Sequence, residues 1–440
     1  MKMNIYRWKD LPTPMRERIF RRSGEDISRV EETVKEIIRG VKDRGDQALR
    51  EYTLKFDGVD LSGLPLEVTT EEYEKAPAQV SPEVRQALDY CIANTRTIHQ
   101  RQVSPAMSFT EIRPGVFAGE RPLPVDSAGI YIPRGRGSFP SMLYMCAIPA
   151  KIAGVPEIAL VTPPNPDGSV DPACLYAAAR CGLKRVFRVG GAQAVAALAY
   201  GTESLPKTLK IVGPGSRYVA AAKKLLGGVI DSGLPAGPSE AIVLADETAD
   251  PRRLALDLMV EAEHGSDSAA LLLTPCAGLA EQTARAAEEL AETLPEPRKT
   301  FIRHVFSAPE ASDYGYGGII ITETLEEAGE IINDYAPEHL QIHSERAFEL
   351  LPLIRNAGEI LLGSSLPFSA ANYAAGVNAV LPTGGAAKTY SALSVRDFIK
   401  YNSVVYLTPP GLAELAGPVK ALADYEGFIT HGDAIKKRGL

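Results

Sequence analysis

At 440 residues the chain is long enough for two or three domains, and its 45% hydrophobic and 23% charged residues are those of an ordinary globular protein. A net charge of −8 argues against a nucleic-acid or anionic-membrane partner, and no apolar run approaches the roughly 18 residues of a membrane span. The N-terminus has no apolar run of signal-peptide length. The five cysteines (Cys91, Cys146, Cys174, Cys181, Cys276) are scattered with no Cys-x-x-Cys pair, so they read as reduced thiols of a cytoplasmic protein and not as a thiolate zinc site.

In chain order, residues 1–25 are polar and basic and read as an arm. A helical pattern follows from Asp26 to Tyr52, with Asp26 or Ser28 as its cap and Val30, Val34, Ile37, Ile38 and Val41 at helical spacing. Residues 81–102 predict another helix, with Val84, Ala87, Leu88, Cys91 and Ile92 on one face. The middle alternates. Gly129–Pro133, Glu157–Thr162, Arg185–Val189 and Thr208–Val212 read as strands; Leu143–Ala153, Pro172–Arg180 and Gln193–Tyr200 read as helices. Such alternation predicts a parallel, doubly wound sheet, with ligands expected where its strands end in Gly or Pro. A second series has strands Ala241–Ala245, Ala269–Thr274, Gly317–Thr322 and Glu359–Gly363, with helices Pro251–Glu263 and Leu279–Leu294. Two α/β sheets are therefore expected, with a boundary near Ser239–Ala241. The pattern from Ser394 to Leu440 is helical, interrupted at Pro409-Pro410, and reads as a tail.

Three of the six histidines stand in short motifs with carboxylates: Glu261-Ala-Glu-His264, Pro337-Glu338-His339 and Glu426-Gly-Phe-Ile-Thr-His431. Imidazole and carboxylate together make most proton-transfer and divalent-metal sites. Glu261 and His264 sit i,i+3 on a predicted helix and can face one point, which suits zinc; the alternative is a solvated helix end. Glu338 and His339 are adjacent and suit two different protons, or else they mark a helix N-terminus. His431 is either a ligand or a solvated tail residue. His99, His304 and His343 read as structural or surface residues. Pro133-Arg134-Gly135-Arg136-Gly137 is either a phosphate-binding turn or an ordinary one, because Pro140 stands where a dinucleotide fingerprint has its third Gly. Gly190-Gly191-Ala-Gln193, after a strand and opening a helix, adds to the dinucleotide reading.

In order and spacing these motifs resemble the histidinol dehydrogenase family from about Val30 to Arg438. The most specific stretches are Val189-Gly-Gly-Ala-Gln193, Lys210-Ile-Val-Gly-Pro-Gly215, Pro235-Ala-Gly-Pro-Ser239-Glu240, Ala262-Glu-His264-Gly-Ser-Asp-Ser268, Pro337-Glu-His-Leu340 and Val380-Leu-Pro-Thr383. The resemblance implies two incomplete Rossmann-like domains, an N-terminal arm over 1–25 and a helical tail over 394–440 that crosses to the partner of a homodimer with a shared active site. The first α/β domain would comprise 26–130 and 241–393, and the second, on the cofactor side, 131–240. It implies oxidation of a primary alcohol to a carboxylate (L-histidinol to L-histidine) in two NAD-linked steps through a bound aldehyde, with zinc. Tyr131, Gln193, Gly213, Gly215 and Ser216 would lie on the NAD side. Glu338 and His339 would be catalytic, and Ser239, Glu426 and Ala379 would face substrate. Glu261, His264, Asn372 and His431 would hold the metal.

The chain departs from the family pattern at informative places. Glu261 stands for a family Gln and Asn372 for a family Asp, a swap that keeps one carboxylate, one amide and two imidazoles and so leaves the formal ligand charge unchanged. Ala379 replaces a substrate-contacting His, and Ser216 an Asn. Losing one hydrogen-bonding group is worth about 1–3 kcal/mol, enough to change substrate choice. Arg134 and Arg136 add positive charge after Tyr131 and suit an anionic group, or else they are solvent-exposed loop residues. L-histidinol, a different and anionic primary alcohol such as a sulfonated diol, and no turnover at all in a silent α/β binding protein are the readings carried forward.

Overall fold

Each apolar run read as a strand pairs in parallel with its neighbours, as unbroken hydrophobic strands covered on both faces should. The computed structural model describes residues 2–22, 28–104, 106–134, 137–306 and 315–438. Asp26, Gly135 and Arg136, singled out above, lie outside the described residues.

Four strands make the smaller parallel sheet: β4 (Ser127–Tyr131), β5 (Glu157–Val161), β6 (Arg185–Phe187) and β7 (Lys210–Val212), in the order β6-β5-β4-β7. Six make the larger: β1 (Ile5–Arg7), β8 (Glu240–Ala245), β9 (Ala269–Thr274), β10 (Gly318–Ile321), β11 (His339–His343) and β12 (Glu359–Leu362), in the order β1-β10-β9-β8-β11-β12. In both, the chain winds outward one way and then reverses, between β4 and β7 in one and between β8 and β11 in the other. This is the doubly wound arrangement the sequence predicts. A third sheet is antiparallel and was not expected: β2 (Ser108–Arg113), β3 (Val116–Pro124) and β13 (Ile399–Leu407), in the order β13-β3-β2.

Packing redraws three expectations. The arm is not a loose extension, because Ile5–Arg7 adds an edge strand to the larger sheet and the helix Thr13–Arg21 buries Ile19 in that sheet's core. The helices of 28–100, grouped above with 241–393, instead pack on the smaller sheet. The helix Ser28–Asp57, broken at Gly45, places Val34 and Val41 against Val195 of the helix Gly191–Tyr200. The helices Thr70–Gln79 and Pro82–Gln100 share a core with Leu143 of the helix Pro140–Ala153. The tail's α-helices come only after β13, which pairs along its whole length with β3. Pro409 and Pro410 begin the helix Pro409–Tyr425 and do not interrupt one: at the first helical positions the missing N–H is not needed, and the Thr408 hydroxyl caps the turn by accepting from Gly411 N at 3.2 Å. The last helix is Ile429–Lys436. No helix among the described residues is long and apolar enough to cross a membrane.

Candidate active site

The larger sheet gathers its ionisable groups at the edge where its strands begin. Glu240 opens β8, His339 opens β11 with Glu338 just before it, and Glu359 opens β12. His339 is therefore a strand residue and not part of a helix N-terminus. Register places it beside Ala241 on one side and Glu359 on the other. Its Nδ1 lies 2.6 Å from Glu359 Oε1, while Nε2 faces Glu338 Oε1 at 3.8 Å and Glu261 Oε2 at 4.0 Å. Phe368 packs edge-on against the ring, 5.7 Å between centroids. Glu338 Oε2 accepts from Glu240 N at 2.9 Å. The Glu240 carboxylate accepts from Gly384 N and pairs at 2.5 Å with Arg22, whose guanidinium lies over the Tyr335 ring.

Beside this pair is a group of ligand atoms. Glu261 sits in the last turn of the helix Pro251–Ala262, and His264 follows just past its end. Glu261 is fully buried; its Oε1 accepts from Asn372 Nδ2 at 2.9 Å and its Oε2 lies 3.9 Å from His264 Nε2. His264 Nδ1 is 3.1 Å from Ser239 Oγ. Glu261 Oε2 and Asn372 Oδ1 are buried acceptors with no hydrogen-bond partner among the described residues. Two orphaned oxygens beside an imidazole at the negative end of a helix fit a cation. No group of three His, Cys, Asp or Glu that could hold a metal ion is found among the described residues. The expected fourth ligand, His431, is not brought here. It lies exposed on the tail against Phe428, and Glu426 is exposed at the end of the preceding helix.

The charges hold one another. Burial alone would keep His339 neutral, but the carboxylates of Glu261, Glu338 and Glu359 overcome it and lift the ring to about 10. Burial pushes Glu338 well above the usual carboxylate range, against the pull of His339 and with help from Glu261. Burial also acts to raise Glu261, but His339 and then His264 outweigh it and hold that carboxyl below its ordinary value.

The cofactor-side positions gather at the opposite kind of edge, where the smaller sheet's strands end. Tyr131 ends β4, and its hydroxyl accepts from Gly191 N at 3.1 Å. Gln193 is buried in the first turn of the helix Gly191–Tyr200, with Nε2 lacking a partner among the described residues. Gly213 turns the chain after β7 with φ 107°, so close to β4 that a Cβ there would meet Tyr131 O at 2.0 Å. Lys223 Nζ donates to Gly213 O at 2.5 Å. Gly215 follows, and exposed Ser216 precedes the helix Arg217–Leu225. An unpaired amide donor, a left-handed glycine turn and free helix N–H groups at one edge fit the phosphates and carboxamide of a dinucleotide. Arg134 does not join them, because its guanidinium donates to Pro164 O at 3.0 Å.

A cavity of about 530 Å³ lies between the two edges. Ser239, His264, Glu338, His339 and Asn372 form one end; Pro214 of the glycine turn also reaches it. Ala379 presents only a methyl to it, and its far wall is apolar, from Val84, Ala87 and Leu88 of one helix and from Met142 of another with Phe139 just before it. Sequence reasoning missed Arg298, which lines the cavity and donates to Glu263 O at 2.8 Å, and Glu359, whose only signal was its place at the start of a strand. The remaining histidines are structural: His99 Nδ1 bonds Thr95 O at 2.8 Å, His343 Nε2 bonds Asp257 at 2.9 Å, and His304 Nδ1 bonds Ser266 Oγ at 3.1 Å.

Two doubly wound sheets with an acid–imidazole cluster in the cleft between them define an α/β protein built for proton chemistry on a small molecule. The model of the histidinol dehydrogenase family matches residues 20–439. Histidinol dehydrogenase of Synechocystis sp. is 48% identical over 418 residues, 95% of either chain. A histidinol dehydrogenase homolog of Colwellia psychrerythraea is 48% identical over 434 residues, 99% of this chain and 96% of that one. The crystal structure of histidinol dehydrogenase from Elizabethkingia anophelis matches with a TM-score of 0.91 at 34% identity, covering 99% of this chain and 98% of that one. The chain belongs to the histidinol dehydrogenase family, a family of oxidoreductases.

Proposed function

We propose that the protein oxidises a small polar primary alcohol to the carboxylate through an aldehyde that stays bound, using NAD and a divalent metal, most simply zinc. The observation that carries this reading is His339, buried with Glu338 at the end of a cavity that His264 and Asn372 also line, with the Glu261 carboxylate buried behind them 4.0 Å from His339 Nε2. When bound, NAD accepts the hydrides and the metal polarises the substrate oxygen. The chain's residues handle the protons. His339 Nε2 takes the alcohol proton in the first oxidation; Glu338 takes one from the water that hydrates the aldehyde; His339 takes the hydrate's hydroxyl proton in the second. The sum converts one alcohol, one water and two NAD into one carboxylate, two NADH and three protons. Both groups must begin unprotonated. Positive charge held by Glu261, His264 and Asn372 would offset the Glu261 carboxylate and lower His339 and Glu338 together.

The family points to L-histidinol as substrate. A second reading, a different and anionic primary alcohol, is favoured by the Ala379 methyl in the cavity wall and by Arg298, which lines the same cavity. Purified protein with NAD, offered L-histidinol and then a panel of hydroxylated sulfonates, carboxylates and neutral alcohols, separates the two by which one yields two NADH per substrate. No NADH from any of them after zinc addition would mark a silent binding protein.

The site is proposed to be completed by a second copy. Glu426 and His431 flank Phe428 and Ile429, apolar residues 52% and 77% exposed on the tail, and the cavity's apolar wall is open to receive such side chains. Mixing inactive His339→Ala with inactive His431→Ala should restore up to about a quarter of native activity through hybrid dimers. No recovery after confirmed subunit exchange would refute the shared site.

A further inference from the structure

We propose that Glu359 is the positioning residue of the proton-transfer centre, fixing the His339 ring with its proton on Nδ1 so that Nε2 is the nitrogen offered to substrate. The inference deepens the proposed reaction and rests on His339 being its base.

The placement follows from strand register. His339 and Glu359 are paired residues at the openings of neighbouring parallel strands. Paired residues of a parallel pair project to the same face, so the carboxylate reaches the ring laterally, with Oε1 at 2.6 Å from Nδ1. Both side chains are over nine-tenths buried, and Glu359 Oε2 has no partner among the described residues. A carboxylate is an acceptor only, so a contact this short to an imidazole nitrogen requires the proton on that nitrogen. Nε2 is then the nitrogen left to face Glu338 and the cavity. Phe368 against the ring edge limits its rotation.

The backbone makes a second connection. Glu359 N donates to Glu338 O at 3.0 Å, and Gly358 N donates to Pro337 O at 2.9 Å. A Cβ on Gly358 would meet Glu338 O at 2.5 Å, so the two strand openings approach closely here. Residue 359 therefore holds both members of the pair: the main chain of Glu338 through its amide, and the ring of His339 through its carboxylate. A carboxylate partner on the far nitrogen of a catalytic imidazole fixes tautomer and orientation without itself accepting the substrate proton.

The test uses the zinc-loaded, full-length protein and the best alcohol of the panel. Glu359→Gln replaces an acceptor with a group that can donate to Nδ1 and so favours the wrong tautomer. It should lower kcat by about 10²–10⁴-fold, with KM and the Kd for NAD within about threefold. Glu359→Asp, which keeps the charge one carbon short, should recover at least tenfold of that loss. In a His339→Ala background, Glu359→Gln should cost nothing further, which a merely structural role would not predict. A kcat for Glu359→Gln within twofold of native, while His339→Ala lowers it by about 10²–10⁴-fold, would overturn the proposal and leave the proposed reaction standing. Nitrogen NMR of histidine-labelled protein reads the ring without any substrate. In the pH range where the ring is neutral, a proton on Nδ1 of His339 with Nε2 bare supports the assignment, and a bare Nδ1 overturns it even if no alcohol in the panel is turned over.

Discussion

The two parallel sheets wind in the same way and are used at opposite edges. The smaller sheet presents Tyr131, Gln193 and Gly213 where its strands end; the larger presents Glu240, Glu338, His339 and Glu359 where its strands begin. The difference follows from which helix ends lie at each edge. At the strand ends of a parallel sheet helices begin, and their unpaired N–H groups favour phosphate. At the strand starts helices finish, and their carbonyl ends favour positive charge: the last turn of Pro251–Ala262 carries Glu261, with His264 just beyond. One edge is suited to a dinucleotide, the other to a cation and an imidazolium. The cavity lined by His339 and Glu338 of the larger sheet's edge is also reached by Pro214 of the smaller sheet's glycine turn.

Separate variants should separate the edges. His339→Ala is the largest expected effect: kcat should fall by about 10²–10⁴-fold, the usual worth of a general base, while NAD binding followed by fluorescence or calorimetry stays native. Parallel loss of NAD affinity would break the division of labour. Arg22→Ala strikes the larger sheet structurally, leaving Glu240 buried without its cation. It should cost about 3–5 kcal/mol in denaturant unfolding, the penalty for breaking a buried pair from one side. Gln193→Ala strikes only the smaller sheet's edge. It should raise the Kd for NAD by about 5–150-fold, the equivalent of one buried hydrogen-bonding group at 1–3 kcal/mol, with kcat at saturating NAD nearly unchanged.

The smallest effect is on pH dependence. In chelator-treated protein the His339 ring titrates at about 10 in the fold, above its ordinary 6.5. Its protonated form therefore contributes stability in full below pH 6.5, and that contribution is lost as pH rises through about 10. Glu338, also raised, acts in the same direction. Between pH 6.5 and 10 the melting temperature of the metal-free native chain should fall further than that of His339→Gln. Equal slopes would show that the cluster does not hold the proton.

The sequence reads most clearly at the smaller sheet's edge, because there the turn chemistry is local to the chain. Gly190-Gly191 and Gly213-Pro-Gly215 announce turns, and turns after strands are where such a sheet binds. The acid–histidine motifs were also visible, and Glu261, His264 and Asn372 do meet, although more than one hundred residues separate Asn372 from Glu261. The larger sheet's edge was less legible. Pro337-Glu338-His339 reads equally as a helix start, and Glu359 and Arg22 carry no local mark. Their roles come from pairing, one across a strand register and one across 218 residues of chain to Glu240.

By itself the sequence determined the doubly wound class, through hydrophobic strands that need cover on both faces, and the residue types of the chemistry. Tertiary structure alone decided which carboxylate holds which imidazole nitrogen. It folded the arm into the larger sheet and the helices of 28–100 onto the smaller. It also left Glu426 and His431 exposed, away from the cavity in their own chain. Periodicity is a local property written along the chain; register, burial and the mutual field of buried charges exist only between segments.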